Sequence, residues 1–162
     1  MTESDKHHLT AARGWLELGL FNEAFEELDE IGPQARAHLD VIKTRWQGYR
    51  AVKKWAEAEE VARGITTNTP KDFDGWWMLS FALHGMKRTQ EAYDNLAGVR
   101  DKFPGEFIVH YNLACYATQL SRLDEARVSL KRAFELNPGQ RVEALEDPDL
   151  EPFWAEIQKA SK

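Results

Sequence analysis

Five histidines and one cysteine are the side chains through which this chain would do metal or thiol chemistry, so their spacing is the first thing to weigh. A helical zinc site sets two histidines one turn apart beside a carboxylate. His7, His8, His38, His84 and His110 make no such i, i+4 arrangement, and His7 and His8 read as solvated residues near the terminus. Cys115 has no histidine or other base at helical spacing to activate it as a nucleophile. As the single cysteine it makes no internal disulfide and no structural zinc site, which takes about four ligands. It reads as a small, semi-buried helix residue suited to a reducing compartment. A phosphate-binding loop needs a strand ahead of its glycines, and the scattered glycines of GMKRT and GQRVE have none. No catalytic residue, cofactor or metal is expected, and the chain reads as a non-enzyme.

Charge narrows the partners. The net charge of −6 opposes general nucleic-acid binding, which needs a concentrated excess of Lys and Arg. Acids outnumber bases 8 to 3 over residues 1–38 and 6 to 3 over residues 141–162, while 39–72 carries 5 acids against 7 bases and 73–140 carries 8 of each. No apolar run approaches the roughly 20 residues that span a bilayer, and MTESDKHHLT has neither the basic nor the apolar region of a signal peptide. A cytoplasmic protein that binds no membrane is expected. With 43% hydrophobic residues, 162 residues suffice to bury the core of one domain.

The elements that would position any site follow from a repeat. Glu-Ala recurs at 23–24, 57–58, 91–92 and 125–126, always 34 residues apart. Two residues before each Glu stand Phe21, Trp55, Thr89 and Leu123. Four after each Ala stand Leu28, Ala62, Leu96 and Leu130, and three further Ile31, Ile65, Val99 and Ala133. Such spacings of three and four mark the buried stripe of a helix. Pro70, Pro104 and Pro138 end three of these helices, and Pro33 predicts an early stop for the first. Upstream, Trp15, Tyr49, Leu83 and Ala117, closed by Leu18, Val52, Met86 and Leu120, mark another helix in each copy. Every unit is thus two helices. The recurrent Ala falls where the two meet and leaves no room for a longer side chain; the Glu before it lies in the first turn, where the helix dipole favours a carboxylate by roughly 0.3–1 kcal/mol. In GQRVEALEDPDLEPFWAEIQKASK, Asp147 is an N-cap before Pro148, with Leu150, Phe153, Trp154 and Ile157 on one face. This piece predicts a capping helix with a polar outer side, as stacked repeats require.

A helical hairpin repeating every 34 residues, with YNLACYATQLSRLDEARVSLKRAFELNP as its best copy through Leu113, Ala114, Ala126, Ala133 and Pro138, resembles the tetratricopeptide repeat (TPR) family. WWMLSFALHGMKRTQEAYDNLAGVRDKFP matches at Trp76, Leu79, Ala92 and Pro104; the second copy has Arg45 and Trp46 in place of a Leu and a small residue. The resemblance implies an all-α, right-handed α-solenoid of four hairpins, at about 5–38, 39–72, 73–106 and 107–140, plus a C-terminal cap over 141–162, in one domain spanning 1–162.

The resemblance further implies a protein partner held in a concave groove lined by the first helices. The groove-facing positions that bear on binding are Arg13, Lys43, Gln47 and Arg50, then Trp77, Phe81, His84 and Tyr111. Adjacent helical residues diverge by about 100°, so Trp76 takes the buried phase and Trp77 the groove, where an aromatic cluster with Phe81 would anchor a partner; the alternative is that Trp77 and Phe81 pack against the fourth copy, covered by Tyr111 and the C-terminal helix. Lys43 occupies the place of a carboxylate clamp, but Gln47, Met78 and Ile108 stand where its polar or basic companions belong. Overall likeness to small bacterial TPR proteins of the kinesin-light-chain-like kind, which accompany bacterial tubulins, implies filament binding. The alternative is an adaptor or assembly factor that takes a short peptide or subunit tail.

Overall fold

The 34-residue step sets the helix boundaries almost to the residue. The computed structural model of the chain describes residues 1–160. It contains α1 (Glu3–Glu17) and α2 (Phe21–Glu30), α3 (Leu39–Ala51) and α4 (Trp55–Asn68), α5 (Phe73–Gly85) and α6 (Thr89–Ala97), and α7 (Phe107–Gln119) and α8 (Leu123–Leu136). Then come α9 (Gln140–Ala144), a 3-10 helix (Pro148–Phe153) and α10 (Trp154–Ala160). Among the described residues there is no strand, and no helix is long and apolar enough to cross a membrane. The chain forms two compact units, Met1–Met78 and one beginning at Leu79.

Each hairpin turns on one left-handed residue. Gly19, Lys53, Lys87 and Ser121 have φ of 74°, 57°, 65° and 61°. Around them the N–H groups of Leu20, Lys54, Arg88 and Arg122 donate to the carbonyls of Trp15, Tyr49, Leu83 and Ala117 at 2.9, 2.9, 2.9 and 2.8 Å. Those of Gly19, Lys53, Lys87 and Ser121 donate to Leu16, Arg50, His84 and Thr118. These paired bonds satisfy carbonyls that a helix end would otherwise orphan, and they reverse the chain within three residues. Only the first copy uses glycine; the others hold an L side chain in a conformation that costs roughly 1–2 kcal/mol.

The second helices start without a side-chain cap at Leu20, Lys54, Arg88 and Arg122. The Glu three residues on therefore supplies the negative charge that their N-termini favour. Ala24, Ala58, Ala92 and Ala126 are all fully buried at 0% exposure. α2 stops at Glu30 ahead of Pro33, while α6 ends at Ala97 and a 3-10 turn, Arg100–Lys102, carries the chain on toward Pro104. One expected stripe is corrected: Leu18 is 70% exposed and Val52 36%. They stand at C-caps, where the chain has already left the helical phase.

In the first unit, α1 begins with a capping box: Thr2 Oγ1 accepts from the Asp5 N–H at 3.1 Å, and the Asp5 carboxylate accepts from the Thr2 N–H at 2.7 Å. Asp5 Oδ1 also accepts from the Gly32 N–H at 2.9 Å, tying the start of α1 to the loop after α2. Leu9, Ala12, Leu28, Ile31, Ala35 and Val41 form the core there, with Phe25 packed on it. A Cβ on Gly48 would come within 2.8 Å of the Phe25 ring, so α3 needs glycine at this crossing. Arg45 reaches the Leu28 carbonyl at 3.1 Å and Asp29 Oδ1 at 2.8 Å, and Trp46 is fully buried. In the second unit, α7 packs against α6, α8 and the 3-10 helix, which is why eight of its residues are buried. The expected cap exists in two pieces: Asp147 caps the 3-10 helix by accepting from the Asp149 N–H at 3.0 Å, and Leu150, Phe153 and Ile157 are buried. Trp154 donates its indole N–H to the Ala144 carbonyl at 2.9 Å. Residues 161 and 162 of the expected cap lie outside the described residues.

Two measurements test this account. No atom lies within 4 Å of where a Gly19 Cβ would stand, so Gly19→Ala should cost about 1 kcal/mol through φ alone, and Lys87→Gly should gain up to about 1 kcal/mol; opposite shifts in the urea midpoint are expected. The Gly32 and Thr2 hydrogen bonds lower the Asp5 pKa from 3.8 to about 2. Because the folded value is the depressed one, Asp5 stabilises the fold fully above the unfolded pKa, and this is lost as pH falls from about 4 to about 2. The destabilisation caused by Asp5→Asn should therefore be largest near neutrality and vanish toward pH 2.

Candidate functional site

Four of the sequence-predicted residues meet in the first unit. Arg13 from α1 and Lys43, Gln47 and Arg50 from α3 line one open recess of about 590 Å³ with Leu16, Phe21 and the acids Glu17 and Asp40. Positions 43, 47 and 50 follow the i, i+4, i+7 rule, which puts them on one face of α3. Arg13 is positioned by Thr44, whose hydroxyl accepts from Nε at 3.2 Å, and by Asp40 at 3.8 Å. Thr44 in turn donates to the Asp40 carbonyl at 2.7 Å.

Lys43 is not a free cation. Its Nζ lies 2.7 Å from Asp72 Oδ2 and 2.7 Å from Asp74 Oδ2, with the lysine side chain 20% exposed. Burial alone would lower its pKa, but the two carboxylates outweigh that and the net shift is upward. The lysine therefore ties the start of α5 to α3.

Arg50 is held differently. Its guanidinium carbon lies 6.0 Å from the centres of both the Trp46 and Trp77 rings, which are 5.4 Å apart and tilted by 54°. This is a cation–π arrangement in which two indoles restrict one cation. Burial lowers the Arg50 pKa from its ordinary value, but a guanidinium keeps its charge near neutrality. Trp77 is half-buried against Trp46, so it forms a wall beneath Arg50 instead of an open aromatic anchor. Trp76, also half-buried, donates its indole N–H to the Pro70 carbonyl at 3.0 Å.

The other predicted residues belong to the second unit. Phe81 is half-buried. His84 packs its ring against Tyr116, with centroids 4.9 Å apart, and Thr89 Oγ1 lies 3.0 Å from Nδ1. Tyr111, expected to be open, is only 6% exposed and donates to Asp147 Oδ2 at 2.8 Å. The 3-10 helix lies over this face of α7. Burial and the Asp147 bond push the Tyr111 pKa far up. The roles of Asp72 on Lys43 and of Trp46 on Arg50 were not legible in the sequence, because they depend on contacts between helices. Asp147 was legible as an N-cap only.

Four hairpins of one turn geometry, whose second helices start 34 residues apart, followed by a cap, define an all-α helical-repeat protein with the tetratricopeptide fold. Among solved structures the chain is similar to MamA of AMB-1, at 26% identity over 87% of this chain and 77% of the other, with a TM-score of 0.64. MamA of MSR-1 is similar at 24% identity over 81% and 75%, with a TM-score of 0.67. A thermophilic TPR protein of Thermus thermophilus superposes over 95% of this chain and 98% of its own with a TM-score of 0.74, at 17% identity, a likeness of fold alone. No family model and no curated protein sequence matches the chain.

The Lys43 contacts make a specific expectation. Lys43→Met should cost about 1 kcal/mol, since the pair is partly solvated, and it leaves two carboxylates facing each other. Adding Asp74→Asn should recover part of that loss in a urea-denaturation double-mutant cycle.

Proposed function

We propose that this protein is a non-catalytic interaction module whose first unit holds a short acidic segment of a protein partner in the recess of Arg13, Lys43, Gln47 and Arg50. The observation that carries the reading is the placement of Arg50 on Trp46 and Trp77 beside the exposed Gln47. A guanidinium whose rotamers are already restricted loses less entropy when it meets a carboxylate. Gln47 adds an amide that can donate to and accept from an extended backbone. Leu16 and Phe21 supply apolar wall at the same recess. Lys43, already neutralised, contributes position more than charge.

The filament reading rests on sequence likeness to the kinesin-light-chain-like proteins that accompany bacterial tubulins, and one experiment separates the two. Immobilised wild-type protein, Arg50→Glu and Gln47→Ala are exposed to native lysate, and partners eluted with salt are identified by mass spectrometry. Peptides covering the acidic tails of those partners are then titrated, and co-sedimentation with polymerised bacterial tubulin is run in parallel. The expected result is saturable binding of one acidic peptide, weakened at least tenfold by Arg50→Glu and by added salt. Undiminished binding by both variants would overturn the recess assignment. Co-sedimentation that no tail peptide competes away would favour the filament reading.

A further inference from the structure

The second unit brings together donors that the sequence keeps far apart. Cys115 on α7 and Asp147 and Asp149 at the start of the 3-10 helix each place one ligand atom so that all three lie within 4.8 Å of one another. Cys115 Sγ is 3.7 Å from Asp147 Oδ2. His84 on α5 adjoins this set, with Nε2 3.5 Å from Asp149 Oδ2. Ligands held tetrahedrally at zinc bond lengths stand about 3.3–3.7 Å from one another, so both separations match the edges of such a tetrahedron.

The atoms turned away from this centre are already engaged. Thr89 Oγ1 lies 3.0 Å from His84 Nδ1, which leaves Nε2 toward Asp149. Gln119 donates to Asp149 Oδ1 at 2.9 Å, which leaves Oδ2 toward His84. The Asp149 N–H donates to Asp147 Oδ1 at 3.0 Å, which leaves Oδ2 toward Cys115, where it also accepts from Tyr111 at 2.8 Å. Outer partners of this kind fix the tautomer and orientation of metal ligands. An independent observation points into the same place. Tyr116 is 2% exposed, and its hydroxyl has no hydrogen-bond partner among the described residues. Its ring lies against that of His84, with centroids 4.9 Å apart. A buried hydroxyl left without a partner is costly, and a water carried by a bound cation would supply one.

We propose that Cys115, Asp147, Asp149 and His84 form a site for a divalent transition-metal ion of the zinc type, which fastens the C-terminal cap to α7 and the end of α5. Sulfur and imidazole donors select borderline metals over magnesium and calcium. On binding, the Cys115 S–H bond gives its proton to solvent, the thiolate sulfur donates an electron pair to the metal, and no oxidation state changes. His84 binds through Nε2 with its proton on Nδ1. A bound cation favours the thiolate over the thiol, so metal uptake releases the Cys115 proton.

The test titrates the full-length, metal-stripped protein with Co2+ and follows thiolate-to-cobalt charge transfer in the near ultraviolet. One equivalent should saturate the band, Zn2+ should displace it, and Zn2+ should raise Tm. Cys115→Ser should abolish the band, and Gln119→Ala should weaken Co2+ binding about tenfold or more. Asp149→Asn provides a second ligand variant, with far-UV circular dichroism reporting that each variant folds. A folded wild type with no saturable band, or a band that survives Cys115→Ser, would overturn the site. Metal taken up equally by all variants without the band would place binding at surface groups such as His7 and His8, and would overturn it too.

Discussion

Close approach of the two helices in every hairpin is the constraint on which the rest depends. It is set at one end by a left-handed residue, whose two backbone bonds reverse the chain in three residues, and beside it by an alanine with no exposed surface. A larger side chain at that alanine would have to displace a packed backbone, because interiors at crystal-like density offer no slack. Both devices act on the backbone, so they recur unchanged while the apolar residues around them vary. Phe21, Trp55, Thr89 and Leu123 all open a second helix although their sizes and polarities differ.

Charge works in a second layer, where desolvation decides what each group can do. Lys43 satisfies Asp72 and Asp74 and so spends its charge inside the first unit. Arg50 instead rests on Trp46 and Trp77, whose rings restrict its orientation. Lys43, four residues before Gln47, and Arg50, three after it, thus have different duties: one holds α5 to α3, and the other lines the recess. In the second unit, burial raises the pKa of Tyr111, Cys115 and Tyr116 and keeps them protonated, and Tyr111 and Cys115 turn their polar atoms to Asp147. The cap is therefore more than an apolar lid. Leu150, Phe153 and Ile157 seal the core, while Asp147 receives hydrogen bonds from α7.

Much of the fold was legible because helical hairpins are specified locally. The period of the apolar columns, the Glu-Ala pair and the prolines gave the starts of α4, α6 and α8 and the early end of α2. The left-handed turns were not legible: Lys53, Lys87 and Ser121 carry no turn signal of their own, and tertiary packing imposes the strained conformation that glycine signals at position 19. Leu18 and Val52 continued the apolar pattern by spacing alone, but the helix ended beneath them. In the recess, Arg13, Lys43, Gln47 and Arg50 were legible from the phase of the first helices. The double carboxylate on Lys43 and the burial of Tyr111 were not, since both depend on a helix that arrives from elsewhere in the chain.

The sequence by itself determined the element list, the 34-residue unit and the face of each helix that turns inward, because hydrophobic periodicity and backbone sterics act over a few residues. Only the tertiary structure decided which polar side chains share a site. Cys115 lacked any partner at helical spacing, yet the fold sets it beside Asp147 and within one residue's reach of His84, 31 positions earlier in the chain. Proximity between distant residues is created by packing, and packing is what local pattern leaves unspecified.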